Sequence, residues 1–329
     1  MMQSYLGIDI GGTKCATVMA QSDWNKNVCI IMERQQMLTE GKAWREVLDT
    51  LTSSCLRIEK RLNLHAVSVG VSCGGPLNSN TGVILSPPNL PLWNEVPIVS
   101  YLSHSLNRPV YLQNDANAGA IAEWRFGAGK GCRNMIFMTF GTGMGSGLIL
   151  DGHLYEGTSQ MAGEIGHIRL EDDGPEGYHK KGSFEGFCSG GGIAKLGAMM
   201  IKKAKASGQK SLLYDLDEST LTAKTIAEAA KAGDALAKAI YHVSARELGK
   251  GLSFLIDVLN PEKIVIGSIF AREEQLFHPM MEEVIEKETL SQTRCCCTIV
   301  PSALGENIGD FAAIAVAAKG DIYGDGTNP

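Results

Sequence analysis

The chain has 329 residues, which is enough for two domains of ordinary size. Its formal net charge of −6 provides no basic footprint for a nucleic-acid partner, and no apolar run reaches the roughly 18 residues that a membrane span needs. The N-terminal residues lack the pattern of a secretory signal peptide. Nine scattered cysteines, an odd number, indicate reduced thiols in a cytoplasmic protein rather than a disulfide framework.

The first predicted element is a strand, a glycine turn and a second strand, "YLGIDIGGTKCATVMA", with the turn at residues 11–14. "NMIFMTFGTGMGSGLILDG", from residue 134, repeats this plan. A Walker A loop or a dinucleotide fingerprint would lead from a strand into a helix, so neither motif fits. We predict two β-hairpins whose glycine amides can approach an anion closely, in two related halves that hold the phosphates of a nucleotide.

Between the two hairpins, a strand in "RPVYLQNDANAGAIAEW" ends at Asn114 and Asp115, where an alanine-rich helix is predicted to begin. Carboxylates at the carboxyl end of a strand are well placed for chemistry in an α/β protein. The same pattern is also typical of a residue that merely caps the helix. From these residues alone, both interpretations of Asp115 stay open.

A glycine-rich stretch, "GEIGHIRLEDDGPEGYHKKGSFEGFC" at residues 163–188, could bind a metal, bind a sugar or do neither. After it, a long amphipathic helix is predicted from the N-cap Asp234 to Asn260. Adjacent cysteines at 295–297 are interpreted as part of a cysteine-rich β-strand. "GDFAAIAVAAKG" predicts a final helix with Gly320 as its C-cap.

Seven motifs in order resemble the ROK family (repressor, open reading frame, kinase), from about residue 6 to 318: "GIDIGGTK", "NDANAGAIAEWRFGAG", "FGTGMGSGLILDG", "GEIGH", "FEGFCSG", "VIGS" and "ALGENIGDFAA". The resemblance implies an α/β protein with the two-lobed, actin-like (ribonuclease H-like) ATPase fold, each lobe a mixed sheet flanked by helices. Residues 1–115 would form the small lobe, completed by a helix at about 309–320. Residues 116–308 would form the large lobe, and 321–329 a flexible tail.

The resemblance also implies an ATP-dependent sugar kinase that uses Mg²⁺. Asp115 would be the general base, and Asp9 would position Mg²⁺, usually through water. The phosphates of the nucleotide would bind at two turns, the first comprising Gly11, Gly12, Thr13 and Lys14 and the second comprising Gly141, Thr142 and Gly143. Gly267 would lie at the adenosine site. The sugar would contact Asn114, Glu164, His167 and Glu185, with Asn89 and Gly75 completing the pocket.

Members of the family commonly carry a cysteine triplet after "GH" that binds zinc together with that histidine. In this chain Gly177, His179 and Ser183, or their immediate neighbours, stand in place of the cysteines. The remaining donors, including Cys188, lack the short C-x₂₋₄-C spacing typical of structural zinc sites. We therefore expect no structural zinc.

Three other functions compete with a hexose kinase acting on glucose or a related sugar. A sugar-responsive transcriptional repressor would need a helix-turn-helix module, for which a first strand near Tyr5 leaves no room. A non-catalytic sugar sensor is disfavoured by Asp115, and an actin-like assembly or chaperone protein by the sugar motifs. The partners expected are a small sugar and a second copy of the chain in a homodimer, with no nucleic acid and no membrane. The residue types do not separate one hexose from another.

Overall fold

The computed structural model describes residues 2–39, 41–206, 208, 210–217 and 219–318. Their contacts divide them into two compact units, the first within Met1–Gly131, His153–Ala162 and Glu306–Pro329, the second within Cys132–Gly152 and Gly163–Gly305. This division differs from the predicted boundary at residue 115, because the helix that begins there packs against the C-terminal helix of the first unit. The predicted C-cap Gly320 and the predicted tail 321–329 lie outside the described residues.

The first unit is built on one mixed sheet. The strands of this sheet are β1 (Gln3–Ile10), β2 (Lys14–Asp23), β3 (Val28–Leu38), β4 (Val69–Cys73) and β7 (Val110–Asn114). The unit also contains the short pair β5 (Leu77–Asn78) and β6 (Val83–Ile84) and, later in the chain, β10 (His153–Tyr155), which are not part of this sheet. The sheet order is β3-β2-β1-β4-β7. The first three strands are antiparallel neighbours, whereas β1, β4 and β7 are parallel.

Helices cover both faces of this sheet. They are α1 (Trp44–Leu62), α2 (Ile98–Leu106), α3 (Asp115–Phe126) and α10 (Ile308–Ala317). Helix α1 buries an apolar stripe that includes Val47, Leu51 and Ile58 in the core cluster of the sheet. Helix α10 lies so close to β1 and β4 that a Cβ on Gly70 would overlap backbone atoms of α10. Glycine in β4 is therefore a packing requirement.

The second unit repeats the sheet plan of the first. Its strands are β8 (Met135–Met138), β9 (Ser146–Leu150), the short pair β11 (Glu176–Gly177) and β12 (Lys180–Lys181), β13 (Lys263–Ile266) and β14 (Thr298–Pro301). The main strands follow the order β9-β8-β13-β14, with β8 and β9 antiparallel and β8, β13 and β14 parallel. Both glycine stretches therefore connect antiparallel strands, which confirms the two predicted hairpins.

The helices of the second unit are α4 (Phe184–Phe187), α5 (Gly190–Ala206), α6 (Ala223–Lys231), α7 (Ala235–Leu259), α8 (Ile269–Glu288) and α9 (Ser291–Arg294). Helix α7 has the predicted bounds: the Asp234 side chain accepts a hydrogen bond from the Ala237 amide, and Asn260 ends the helix in the left-handed conformation. Among the helices that the structure describes, none combines the length and apolar character that crossing a bilayer requires.

The interpretation of residues 295–297 as part of a strand is wrong. The amides of Cys295 and Cys296 donate to the carbonyl oxygens of Ser291 and Thr293, so the chain turns there after α9. Strand β14 begins only at Thr298. A run of β-compatible residues thus forms a helical turn because its amides are already paired with α9.

Candidate functional site

In the first unit, three parallel strands bring the predicted residues to one edge of the sheet. The register pairs Asp9 in β1 with Ser72 in β4, and Ser72 with Gln113 in β7. Asn114 follows as the last residue of β7. Asp9 and Asn114 therefore lie at the carboxyl ends of parallel strands, where α/β folds usually place their ligands.

Asn114 rather than Asp115 caps helix α3. The Asn114 side chain accepts hydrogen bonds from the amides of Ala116 at 3.0 Å and Asn117 at 3.4 Å. Asp115 is the first residue of the helix and accepts a hydrogen bond from the Ala116 amide at 2.9 Å. Because Asn114 provides the cap, the carboxylate of Asp115 is not required for that purpose.

Asp115 shares its surroundings with Asn89 and with the glycine pair after β4. A Cβ built on Gly74 would lie 3.8 Å from both Asp115 Oδ2 and Asn89 Nδ2, and one on Gly75 would lie 3.5 Å from Asn114 Nδ2. Desolvation raises the pKa of the Asp115 carboxyl, against the opposing hydrogen bond from Ala116. A carboxylate with a raised pKa is a stronger base than a solvated aspartate.

Asp9 lies in a cluster of charged side chains. Desolvation, reinforced by the negative charges of Asp115 and Asp310, raises its pKa to about 6, while Arg34 acts in the opposite direction. Arg34 Nε donates to Asp310 at 2.9 Å. A Cβ on Gly309 would lie 2.5 Å from Asp9 Oδ2, so α10 approaches this carboxylate closely. The sequence predicted Asp9 but not its neighbours Arg34, Gly309 and Asp310. Gly309 and Asp310 lie in the "ALGENIGDFAA" motif, whereas Arg34 lies in none of the motifs.

The first glycine turn also adjoins this cluster. The Gly11 amide donates to the Lys14 carbonyl at 3.1 Å and closes the hairpin, and Thr13 and Lys14 are exposed. A Cβ on Gly12 would lie 2.6 Å from the Asn89 carbonyl oxygen, so the turn packs against the loop that carries Asn89. The structure thus brings together the residues predicted in the first unit.

The second unit groups its glycine residues in the same way. The Gly141 amide donates to the Gly143 carbonyl at 3.1 Å, and Thr142 at the tip of the turn is exposed. Gly267 follows β13 and donates its amide to the Met138 carbonyl at 2.9 Å. A Cβ on Gly141 would lie 3.7 Å from the hydroxyl of Ser268. The second turn and Gly267 are therefore neighbours.

Glu185 contacts this turn directly. Its Oε2 accepts a hydrogen bond from the Met144 amide at 2.9 Å, and a Cβ on Gly143 would lie 2.9 Å from the same oxygen. A Cβ on Gly166 would lie 3.3 Å from the Cβ of Glu185. Glu185, predicted as a sugar contact, is therefore also attached to the second glycine turn, which the sequence did not indicate.

Glu164 precedes a single 3₁₀ turn, Ile165–His167, that ends at His167, and the His167 amide donates to the Glu164 carbonyl. Both side chains are exposed, whereas Ile165 and Gly166 between them are buried. The short turn therefore fixes the two polar residues on the surface of the second unit, with Gly166 beside Glu185.

Two residues near His167 at or beside the positions of the family's zinc-binding cysteines make other contacts. Ser183, in place of a cysteine, donates to the Gly177 carbonyl at 3.3 Å, and Cys188 is buried with its thiol donating to the Ser244 carbonyl. Within the part of the chain that the structure describes, no group of three or more histidine, cysteine or acidic side chains is arranged to hold a metal ion. A closed zinc site needs four such donors.

The chain is similar to several known proteins. A family model described as the ROK family matches residues 5–319. A glucokinase of Halalkalibacterium halodurans is 35% identical over 273 residues, which are 80% of this chain and 79% of that protein. A xylose repressor of Caldicellulosiruptor bescii is 30% identical over 236 residues, which are 68% of this chain but 55% of the repressor.

Among solved structures, a ROK family glucokinase from Streptomyces griseus, in complex with glucose and AMPPNP, superposes with a TM-score of 0.76. It is 26% identical, and the match covers 97% of this chain and 100% of that one. The predicted fold class, an actin-like α/β protein, is thereby confirmed. The family match spans nearly the whole chain, and the chain belongs to the ROK family.

Proposed function

We propose that this protein transfers the γ-phosphoryl group of ATP to a hydroxyl group of a hexose, glucose or a close relative. The glucokinase name of the relative at 35% identity and the complex of the Streptomyces griseus glucokinase with glucose and AMPPNP support this reaction. The observation that carries the proposal is the carboxylate of Asp115. It stands at the carboxyl edge of the sheet with a raised pKa, while its neighbour Asn114 caps the helix.

In this mechanism Asp115 accepts the proton of the sugar hydroxyl as that oxygen attacks the γ-phosphorus. A new oxygen–phosphorus bond forms, the bond between the γ-phosphorus and the bridging oxygen breaks, and ADP leaves. Asn114 holds the start of α3 through its cap and so fixes the position of Asp115. Asn89 and the Gly74-Gly75 turn border the same carboxylate, where a bound hydroxyl group would lie.

The residues around Asp9 fit a magnesium ion. Desolvation and, after it, the charges of Asp115 and Asp310 raise the pKa of Asp9, and a divalent cation would offset both effects by stabilising the carboxylate. Magnesium in such sites is bound by one or two carboxylates together with phosphates and water, so a larger protein cage is not needed. Bound Mg²⁺ would neutralise charge on the phosphates. Asp9, whose own charge is balanced in part by Arg34, would help to hold it.

The glycines of each turn carry no side chain that would keep phosphate oxygens away from the backbone amides. We assign the turn at Gly11–Lys14 and the turn at Gly141–Gly143 to the phosphates, and Gly267 to the adenosine. In the second unit, Glu164, His167 and Glu185 would hydrogen-bond sugar hydroxyls. Several convergent polar groups are what discrimination among polyols requires.

The test is a coupled assay of ADP release over a panel of hexoses, N-acetylhexosamines and glucosides, with and without Mg²⁺. We expect turnover with at least one hexose and none without a divalent cation. A chain that binds a hexose but releases no ADP with any sugar on the panel would contradict the kinase assignment.

A second function is a sugar-responsive transcriptional regulator, which the similarity to the xylose repressor favours. A regulator would bind specific DNA in a sugar-dependent way, and its affinity would fall steeply with salt. Electrophoretic mobility shifts with genomic fragments, with and without the best sugar, separate this function from the kinase. The predicted homodimer and cytoplasmic location stay predictions, and light scattering after size exclusion tests the first of them.

A further inference from the structure

A two-stranded hairpin, Glu176–Lys181, lies beside His167. Its strands pair Glu176 with Lys181 and Gly177 with Lys180, so Tyr178 and His179 form a two-residue turn. Both turn residues have positive φ, 44° and 62°. Such turns strongly favour Asn-Gly, because other residues adopt the left-handed conformation at an energetic cost. Tyr178 and His179 occupy these positions despite that cost, which points to a role for their side chains beyond forming the turn.

The tip of the hairpin makes two contacts with His167. The ring of Tyr178 packs edge to face against the His167 ring, with centroids 5.5 Å apart and planes at 80°. The ammonium group of Lys180 donates to the His167 carbonyl at 2.6 Å. One contact orients the imidazole, and the other holds the backbone that carries it. A charge-assisted hydrogen bond is among the stronger ones that a surface offers.

The base of the hairpin is attached to the helix that carries Glu185. Ser183, the N-cap of α4, donates to the Gly177 carbonyl and accepts from the Gly186 amide at 3.1 Å. A Cβ on Gly177 would lie 2.6 Å from the Gly186 nitrogen, so hairpin and helix are in direct contact. The hairpin therefore joins His167 to the segment that carries Glu185.

We propose that this hairpin positions the sugar-binding residues, with Tyr178 and Lys180 as positioning residues for His167. The inference rests on the proposed role of His167 in sugar binding. The hairpin does this through the contact between the Tyr178 and His167 rings and through the hydrogen bond from Lys180. Neither Tyr178 nor Lys180 contacts the sugar in this proposal.

The test replaces the turn by its preferred residues, Tyr178→Asn with His179→Gly. This double variant relieves the positive-φ strain, so the hairpin should be kept and the melting temperature should rise or stay unchanged. The KM for the sugar should nevertheless increase about fivefold or more, because without the Tyr178 ring the His167 ring is no longer held in one orientation. The kcat and the KM for ATP should stay within about twofold of the wild-type values. A purely structural role would predict the opposite, unchanged or improved sugar affinity.

His179→Gly alone is the matched control, since it relieves strain but keeps Tyr178, and it should leave the KM for sugar unchanged. Lys180→Met should raise that KM, and Lys180→Arg should restore it in large part. A sugar KM of the double variant within about twofold of wild type would overturn the proposal.

A second readout is independent of catalysis. The imidazole resonances of His167, assigned by NMR through a His167→Gln variant, should shift in the double variant because the ring of Tyr178 is lost. Unmoved resonances would also overturn the proposal. If the wild type phosphorylates no sugar, the proposed function fails by itself, and the His167 resonances still decide whether the hairpin positions that ring.

Discussion

The carboxylate of Glu185 accepts a hydrogen bond from the backbone amide of Met144, 2.9 Å away. A residue assigned to the sugar therefore also holds the second glycine turn, which is assigned to the phosphates. Any change in the position of Glu185 on sugar binding would reach that turn through one bond. The two substrates should consequently affect each other's affinity, reciprocally and through this contact.

The first prediction separates the two roles of Glu185. Glu185→Gln keeps an oxygen that accepts from Met144, so it should raise mainly the KM for sugar. Glu185→Ala removes the bond to Met144 and should raise the KM for ATP as well, by about tenfold or more, because a charged hydrogen bond contributes about 1.5–3 kcal/mol. Initial rates over a grid of both substrates measure the effects. An alanine variant with the wild-type KM for ATP would show that this contact does not order the turn.

The second prediction concerns Asp115. Asp115→Asn should lower kcat by about 10²- to 10⁴-fold, as the loss of a general base typically does. Folding and sugar binding should persist, because Asn114 provides the helix cap. Steady-state kinetics, calorimetric sugar titration and circular dichroism check the three parts. A variant that retains more than a third of the wild-type turnover would remove Asp115 from its assigned role.

The third prediction tests the contact between α10 and the sheet. Gly70→Ala places a methyl group against the backbone of α10, which cannot move without displacing the helix. We expect a loss of at least about 3 kcal/mol in the free energy of unfolding or failure to fold. Gly41→Ala is the control, since its Cβ meets nothing within 4 Å and only its φ of 74° resists substitution. Gly41→Ala should lower the free energy of unfolding by about 1 kcal/mol. Equal losses in denaturant titrations would refute the packing argument.

The fourth prediction concerns Asp234, the N-cap of α7. Desolvation acts to raise the pKa of the Asp234 carboxyl. Hydrogen bonds from Ala237, Leu212 and Ser211 outweigh this effect and hold the pKa below its ordinary value of 3.8. A folded-state pKa below the unfolded value stabilises the protein above pH 3.8, and this stabilisation is lost as the pH falls through the folded-state pKa. Asp234→Ala should therefore cost about 1–2 kcal/mol at pH 7 and progressively less in acid.

Asp234→Asn is the matched control for that prediction, because its side-chain oxygen can still accept from the Ala237 amide without titrating. The loss in free energy of unfolding caused by Asp234→Asn should be smaller at pH 7 than that caused by Asp234→Ala, and nearly independent of pH. Urea unfolding of the three proteins between pH 7 and pH 3 provides the comparison. An Asp234→Ala penalty that stays constant over that range would contradict the ionic contribution of the cap.

The features that the sequence predicted correctly are those with local signals. The glycine turns lie between two apolar strands, and helix α7 carries a cap at each end, Asp234 and Asn260. Such signals lie within a few residues of the element that they define. The position of Asp115 at a strand end was predicted in the same way, but sequence could not decide whether Asp115 or Asn114 caps the helix. Only the hydrogen bonds of Asn114 identify the cap.

The features that the sequence did not predict depend on residues far apart in the chain. Arg34 and Asp310, which tune the surroundings of Asp9, are 276 positions apart, and no local pattern links them. The hairpin at Tyr178 and His179 was missed for another reason, because its turn residues are not those that hairpin turns favour. For Cys295, the neighbouring helix α9 determined the conformation of residues whose composition favoured a strand.

Helix α10 has a consequence for how the chain matures on the ribosome. Its partner strands β1 and β4 are synthesised within the first 73 residues, whereas α10 begins at residue 308. Protein synthesis proceeds at about 5–20 residues per second, so at least about 10 seconds pass between the synthesis of the sheet face that contains Gly70 and the synthesis of α10, which covers it. Most of the second unit, which ends at residue 305, emerges during that interval. The unit that begins first is therefore the one that finishes last, and a chain released shortly before residue 308 should expose this face to chaperones.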